Sequence, residues 1–545
     1  MFSIRSIVLL LGLTLGGLTL SLITACVVDD ASAAGQSDFG ELVQIFDDFR
    51  EVEEPDLNNG VPDYSPAAIA EQKQQLDRLR GRLEALDITG WPIPRQSDYH
   101  LVRAEINGLE FHHRVIRPWA TDADFYTPRT RGWGYRSVDI DNLPLDGGDL
   151  LALRNNLESI PSMLEQGRAN IDPDEAKSDG ALLALMSLDY DGSYFDELKP
   201  ALGRHHPDLV PLLDEARSSM GEYEQWIGEN RSRMTVPTGV GKENYTWWMQ
   251  NVWLMPYTWQ DAWILARREY GRTVQALKVA EFKNVGEPEL NPVLTKEDFD
   301  RQWAELEAHA LEWAKEKQPF TVPDELVAIG PRPFSWEDHP GREDDPLPFF
   351  LQLADRDPMM EIIHNTFGHN FDRIRSSHDD RPIRGTRRLY NIYRARAEAG
   401  GFMLEEMMSD AGVTDYSPRA KEPILVAAAY RAVRAMADLK LHANEMGYQE
   451  SAQFEAEMTP RGWASAGNFT LWQHRRDYPR EPGNEMSYLV GKVQVQATMA
   501  DQAMQLGDDF SLQNFWDEFF AAGLIPVSLI RWEMTGLEDE VELLW

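Results

Sequence analysis

The chain has 545 residues, 43% of them hydrophobic and 10% aromatic, a globular composition with material for a sizeable core that excludes wholesale disorder. Its 90 acidic residues outnumber 53 basic ones, for a formal charge of -37. A surface of that sign repels phosphate backbones, which excludes nucleic acid as a partner.

The first 25 residues, "MFSIRSIVLLLGLTLGGLTLSLITA", carry one early cation, Arg5, then an apolar run and small residues, the layout of a secretory signal. Cys26, the single cysteine, follows at once, and "LITAC" resembles the lipobox of bacterial lipoproteins. The resemblance implies cleavage before Cys26 and lipid on its thiol, with several acyl chains together holding the protein to a membrane. No cysteine is then left for disulfides or a thiolate zinc site. Val27 stands where an inner-membrane retention signal would place Asp. The expected location is the bacterial cell envelope, lipid-anchored in the outer membrane and facing the periplasm or the cell surface. Residues 26–37, small and polar, read as a lipid-anchored tether.

Residues 38–545 read as one large, mainly α domain: a helical, metallopeptidase-like body with a central cleft and a small β insertion. Ser65-Pro66 opens a helix whose apolar face is Ile69, Leu76, Leu79, Leu83 and Leu86. The aromatic stretch "YTWWMQNVWLMPYTWQDAW" (245–263) suits a core better than the wall of a ligand cleft. Thr295 with Asp298 makes a box-like helix start, followed by Phe299, Trp303, Leu306, Ala310 and Trp313 at helical steps. Strand signals are confined to residues 325–353, around "VAIGPRPFSW" and "PLPFFLQL". Helical periods return over 416–447 and 485–507.

Between these lies "MMEIIHNTFGHNF" (359–371), with His364 and His369 five residues apart. Zinc hydrolases with two histidines four apart on a helix turn both toward one ion, about 40° around the axis. At a spacing of five, an unbroken α-helix sends them roughly 140° apart. They share an ion only if the helix bends or ends between them, which Gly368 permits; otherwise they are a pair of hydrogen-bonded core histidines. The residue after each is asparagine, which cannot serve as a base. Glu361 lies three before His364 on the same face, but an isolated E-x-x-H is weak, and Glu110 with His113 makes another.

The next helix, "RARAEAGGFMLEEMMSDAGV" (394–413), places Glu398 and Glu405 two turns apart on one face. Ala399, Gly400 and Gly401 between them leave room for another element to approach.

Taken in order, these segments resemble a bacterial family catalogued as domain of unknown function 885, many of whose members are lipoproteins with a helical, zinc metallopeptidase-like fold. The family's H-E-x-x-P-G-H pattern is matched by "IIHNTFGHNFD", its E-G-W-A-x-Y-x-E by "EAGGFMLEEMMSDAG", and a late Pro, Gln, Tyr, Gly set by "PGNEMSYLVG". A final F-x-D-x-L-x-x-G-x-x-P reads "FWDEFFAAGLIP", and an upstream G-K-x-x-Y reads "VGKENYTWWMQ". The resemblance implies His364, His369 and Glu405 as ligands of Zn²⁺, and Tyr488 as donor to a developing oxyanion. Glu398 or Glu361 would then stand in for a missing base. The departures are serious. The family's His-Glu falls on Ile363-His364, or with one residue deleted on His364-Asn365, so the general-base glutamate is absent either way. Phe367 replaces its proline, Ala399-Gly400 its Gly-Trp, and Asn484 its Gln.

The function these features imply is metal-dependent hydrolysis of peptide-like amide bonds at the cell envelope, by a degenerate motif. The alternatives are an inactive lipoprotein that binds a peptide or small ligand, and a metal-assisted non-hydrolytic enzyme such as a lyase. The sequence names neither the substrate nor the oligomeric state.

Overall fold

The structure, a computed structural model, describes residues 37–58, 60–128, 138–323, 336, 347–386, 392, 394–467 and 478–544. The signal, Cys26 and nearly all of the tether lie outside these residues, as does most of the anticipated β insertion.

The fold is mainly α. Helix α1 (Phe39–Val52) is followed by a two-stranded antiparallel ribbon, β1 (Leu57–Asn58) with β2 (Val61–Pro62), in which Leu57 faces Pro62 and Asn58 faces Val61. Then come α2 (Pro66–Glu84), α3 (Ile93–Phe111), a π-helical turn at His112–Ile116 and α4 (Pro118–Thr121). Three long helices follow, α5 (Gly147–Asn170), α6 (Ser178–His205) and α7 (Val210–Asn230). They bury Leu157, Leu188, Leu213 and Tyr223 in a hydrophobic cluster distinct from the main one. The main core gathers α8 (Lys242–Asn251), α9 (Trp259–Lys283), α10 (Lys296–Lys317), α11 (Phe349–Ala354) and α12 (Met359–Ile362). It is completed by α13 (Phe371–Ser376), α14 (Arg394–Asp410), α15 (Lys421–His442), α16 (Tyr448–Met458), α17 (Asn484–Leu506), α18 (Leu512–Ala521) and α19 (Val527–Thr535).

The helix starts read from sequence hold for local reasons. Ser65 accepts a hydrogen bond from the Ala68 amide and Thr295 one from the Asp298 amide, each satisfying an amide that the first helical turn leaves without a partner. The aromatic stretch 245–263 is core: Tyr245 donates to Asp438 at 2.6 Å and Trp259 Nε1 to the Leu439 carbonyl. One expectation is corrected. "PLPFFLQL" is helical rather than extended over α11, where the Gln352 amide bonds back to the Pro348 carbonyl at 3.0 Å and Phe349 packs on Tyr430. Paired with neither of the two described strands, this short apolar run satisfies its backbone locally.

Helix α15 runs through the middle and is buried on nearly every face. Around it α14 and α17 approach closely because α17 carries Gly491. A Cβ there would stand 2.2 Å from the Ala395 carbonyl oxygen and 2.5 Å from the Ala399 Cβ. Lys492, 1% exposed, pins the same junction with ion pairs to Glu269 at 2.7 Å and Glu406 at 2.5 Å beneath the Phe402 ring.

Candidate metal centre

The two histidines meet by a route other than a bend or an end at Gly368. Residues Ile363–Asn370 form a π-helix, continuous with α12 before it and α13 after it. A π-helix bonds residue i to i+5 and turns once in a little over four residues, so side chains five apart are separated by only roughly 50°. The His364 and His369 rings stand 4.7 Å apart, edge to face. Gly368 serves another purpose: a Cβ there would lie 2.9 Å from the Gly401 Cα. The glycine patch on α14 is therefore where the π-helix docks, and the missing side chains bring the histidines up to the α14 carboxylates.

Those carboxylates divide the work differently from the sequence-based expectation. Glu398 Oε2 lies 3.4 Å from His364 Nε2 and 3.5 Å from His369 Nε2. The three groups offer ligand atoms all within 4.8 Å of one another. Glu405, fully buried, lies outside that trio. It accepts a hydrogen bond from His364 Nδ1 at 2.7 Å, while its other oxygen accepts one from Arg431 at 2.7 Å. Such an outer carboxylate fixes the imidazole tautomer and leaves Nε2 free to coordinate. The expected trio of His364, His369 and Glu405 becomes His364, His369 and Glu398, because two turns along α14 lead to the opposite side of the His364 ring. Glu398 is correspondingly moved from candidate base to candidate ligand.

The chemistry of this trio fits a borderline cation such as zinc, which takes imidazole and carboxylate ligands. Glu398 Oε2 is buried and makes no hydrogen bond, although it faces two imidazoles at ion-pair distance. Such an atom is costly unless a charge completes its surroundings. The electrostatics agree. Burial opposes ionisation of Glu398, yet the positive charge of His369 and His364 beside it holds it well below the usual carboxylate range. Burial likewise opposes protonation of His364, but the carboxylates of Glu398 and Glu405 on its two sides outweigh this and lift it to about 9. The pocket attracts positive charge.

Glu361 lies apart from the trio. Burial raises its carboxyl to about 7, and Asn365 Nδ2 donates to it at 2.9 Å. Tyr488, on α17, stacks over His364 with ring centroids 6.2 Å apart, flanked by the guanidinium groups of Arg431 and Arg434, each 5.6 Å away. Arg434 is neutralised by Glu485. These arginines were missed in the sequence. Their signal was present, since two arginines three apart in "AAAYRAVRAMA" interrupt an apolar helix and must be paired if buried.

The model of a family described as bacterial protein of unknown function (DUF885) matches residues 368–534, beginning just after His364. Over this segment the chain is similar to that family, the same one that its motifs resemble. A solved candidate lipoprotein of unknown function from Shewanella oneidensis superposes with a TM-score of 0.67 at 16% identity, covering 91% of this chain and 99% of that one. A candidate lipoprotein from Colwellia psychrerythraea gives a TM-score of 0.60 at 11% identity, covering 92% and 98%. Both share the fold. No curated protein matches the chain.

Proposed function

We propose that this protein is a metal-dependent hydrolase of peptide-like amide bonds, lipid-anchored through Cys26 in the bacterial cell envelope, with Zn²⁺ held by His364, His369 and Glu398. The observation that carries the reading is the convergence of three ligand atoms within 4.8 Å on a π-helix and α14. The lipobox-like "LITAC" supports the anchor, and the neighbours with the same fold are themselves described as candidate lipoproteins.

Bound zinc at such a centre supplies a Lewis acid for the amide carbonyl and lowers the pKa of water. The chain supplies the rest. Arg431 and Glu405 orient His364. Glu361, poised near neutrality, is the carboxylate assigned to proton transfer, since the motif's usual glutamate falls on His364 or, with one residue deleted, on Asn365. The Tyr488 hydroxyl is the donor available to an oxyanion, since burial, aided by the charge of Glu398, keeps it protonated.

Elemental analysis of the purified protein after incubation with zinc tests this reading. About one zinc per chain is expected, with loss in His369→Ala and in Glu398→Gln. A wild-type protein that holds none removes the proposal. The second reading, a binding protein that keeps the site without the reaction, is favoured by Asn365 alone; it predicts bound zinc with no cleavage across a broad peptide library.

A further inference from the structure

Two ladders of side chains face each other across the junction of α14 and α17. Arg394 and Glu398 stand one turn apart on α14, and Asn484 and Tyr488 one turn apart on α17. Arg394 Nη1 donates to the Asn484 side-chain oxygen and lies 3.4 Å from Glu481 Oε2. One rung is thus Arg394 with Asn484, and the next is the metal-facing Glu398 with Tyr488, about 5.4 Å further along.

The three arginines around the centre differ in what they have left to offer. The side chains of Arg431 and Arg434 are 2% and 9% exposed, and both are committed to carboxylates, Glu405 and Glu485. Arg394 is 16% exposed, as open as Glu398 beside it, and among the described residues it holds its partners through Nη1. Its Nε–Nη2 edge remains as a planar two-donor fork, the geometry that suits a carboxylate. One residue of extended chain spans about 3.5 Å and a charge-assisted hydrogen bond adds about 2.8 Å. A carboxylate one residue beyond a bond held at the metal-facing rung therefore reaches the Arg394 rung.

We propose that Arg394 binds the free α-carboxylate of the substrate, making the site one that removes a single C-terminal residue from a peptide-like chain. This deepens the hydrolase reading and rests on it. Hydrolysis adds one water across the amide: oxygen joins the carbonyl carbon, the C–N bond breaks, and a proton passes to the leaving nitrogen of the released amino acid. Arg394 is a specificity residue here. Glu481 and Asn484 stay on Nη1 and hold the guanidinium in place while its other edge takes the carboxylate.

The test is calorimetric binding of N-acetyl-dialanine and of its C-terminal amide to the mature protein, with zinc content measured on the same samples. The free acid is expected to bind about 10- to 100-fold more tightly than the amide. Arg394→Met should erase the preference and Arg394→Lys should keep part of it, both with wild-type circular dichroism and zinc content. Equal binding of acid and amide by the wild type, or a preference that survives Arg394→Met, overturns the assignment. The hydrolase reading fails separately, on absence of zinc, and the comparison of acid with amide can still be made on metal-free protein.

Discussion

The docking of the π-helix on α14 can be tested by adding one methyl group. Gly401→Ala places a Cβ 2.7 Å from His364 Nδ1, 2.8 Å from its Cε1 and 3.1 Å from its Cγ. Three ring atoms are engaged at once, so the imidazole must move as a body, and its 2.7 Å bond to Glu405 lengthens with it. Overpacking a tight core costs about 1–3 kcal/mol, and loosening a charge-assisted hydrogen bond adds about 1.5–3 kcal/mol. Against this, alanine in a helix interior gains about 1 kcal/mol over glycine. The expected net loss is about 1.5–5 kcal/mol, together with a roughly 10- to 100-fold weaker hold on zinc through the displaced imidazole. Gly81→Ala is the control: Gly81 lies in α2, where a Cβ meets nothing within 4 Å, so only the helix gain of about 1 kcal/mol applies. Urea unfolding and a zinc titration of both variants measure the contrast. If Gly401→Ala proves as stable as Gly81→Ala and binds zinc like the wild type, the two elements do not dock in this way.

Three further outcomes follow from other parts of the structure. Glu361→Gln should leave zinc content unchanged and lower hydrolysis by about two to four orders of magnitude; undiminished turnover would assign proton transfer elsewhere. Lys492→Met should cost about 3–5 kcal/mol in urea unfolding, because it strips a buried cation from Glu269 and Glu406; a loss below about 1 kcal/mol would show that the pair is not a keystone of the α14–α17 junction. Burial, aided by the Arg103 charge, lowers the His100 pKa from 6.5 to about 2, so the folded state holds it neutral while the unfolded chain protonates it. With the folded pKa depressed, this stability is present above 6.5 and is lost as the pH falls toward 2. Between about pH 7.5 and about pH 5.5 the wild type should lose about 1.4 kcal/mol relative to His100→Gln; a gap that does not change with pH would place a charged imidazole in the fold.

Most of the helical body was legible in the chain because its signals are local. Ser65, Thr295 and the apolar steps from Phe299 to Trp313 specify caps and buried faces without reference to anything distant. "PLPFFLQL" misled because a short apolar run has no period long enough to tell a strand from a buried helical turn. The candidate metal centre was half legible, and the reason lies in its geometry. His364, His369, Glu398 and Glu405 were all identifiable as residue types at telling spacings, but converting a spacing into a direction assumed 3.6 residues per turn. One π-helical stretch changes that conversion, and with it a separation of five moves from divergent to convergent. The roles of the two glutamates were beyond any spacing argument. They share a face of α14, and only the path of the π-helix across Gly401 decides that Glu398 faces the imidazole Nε2 atoms and Glu405 meets Nδ1. A widened turn accommodates a change of one residue in histidine spacing while the ligand atoms still meet. Loss of the motif's usual glutamate would therefore remove a base without dismantling the candidate cation site, which is why metal binding and hydrolysis have to be measured separately here.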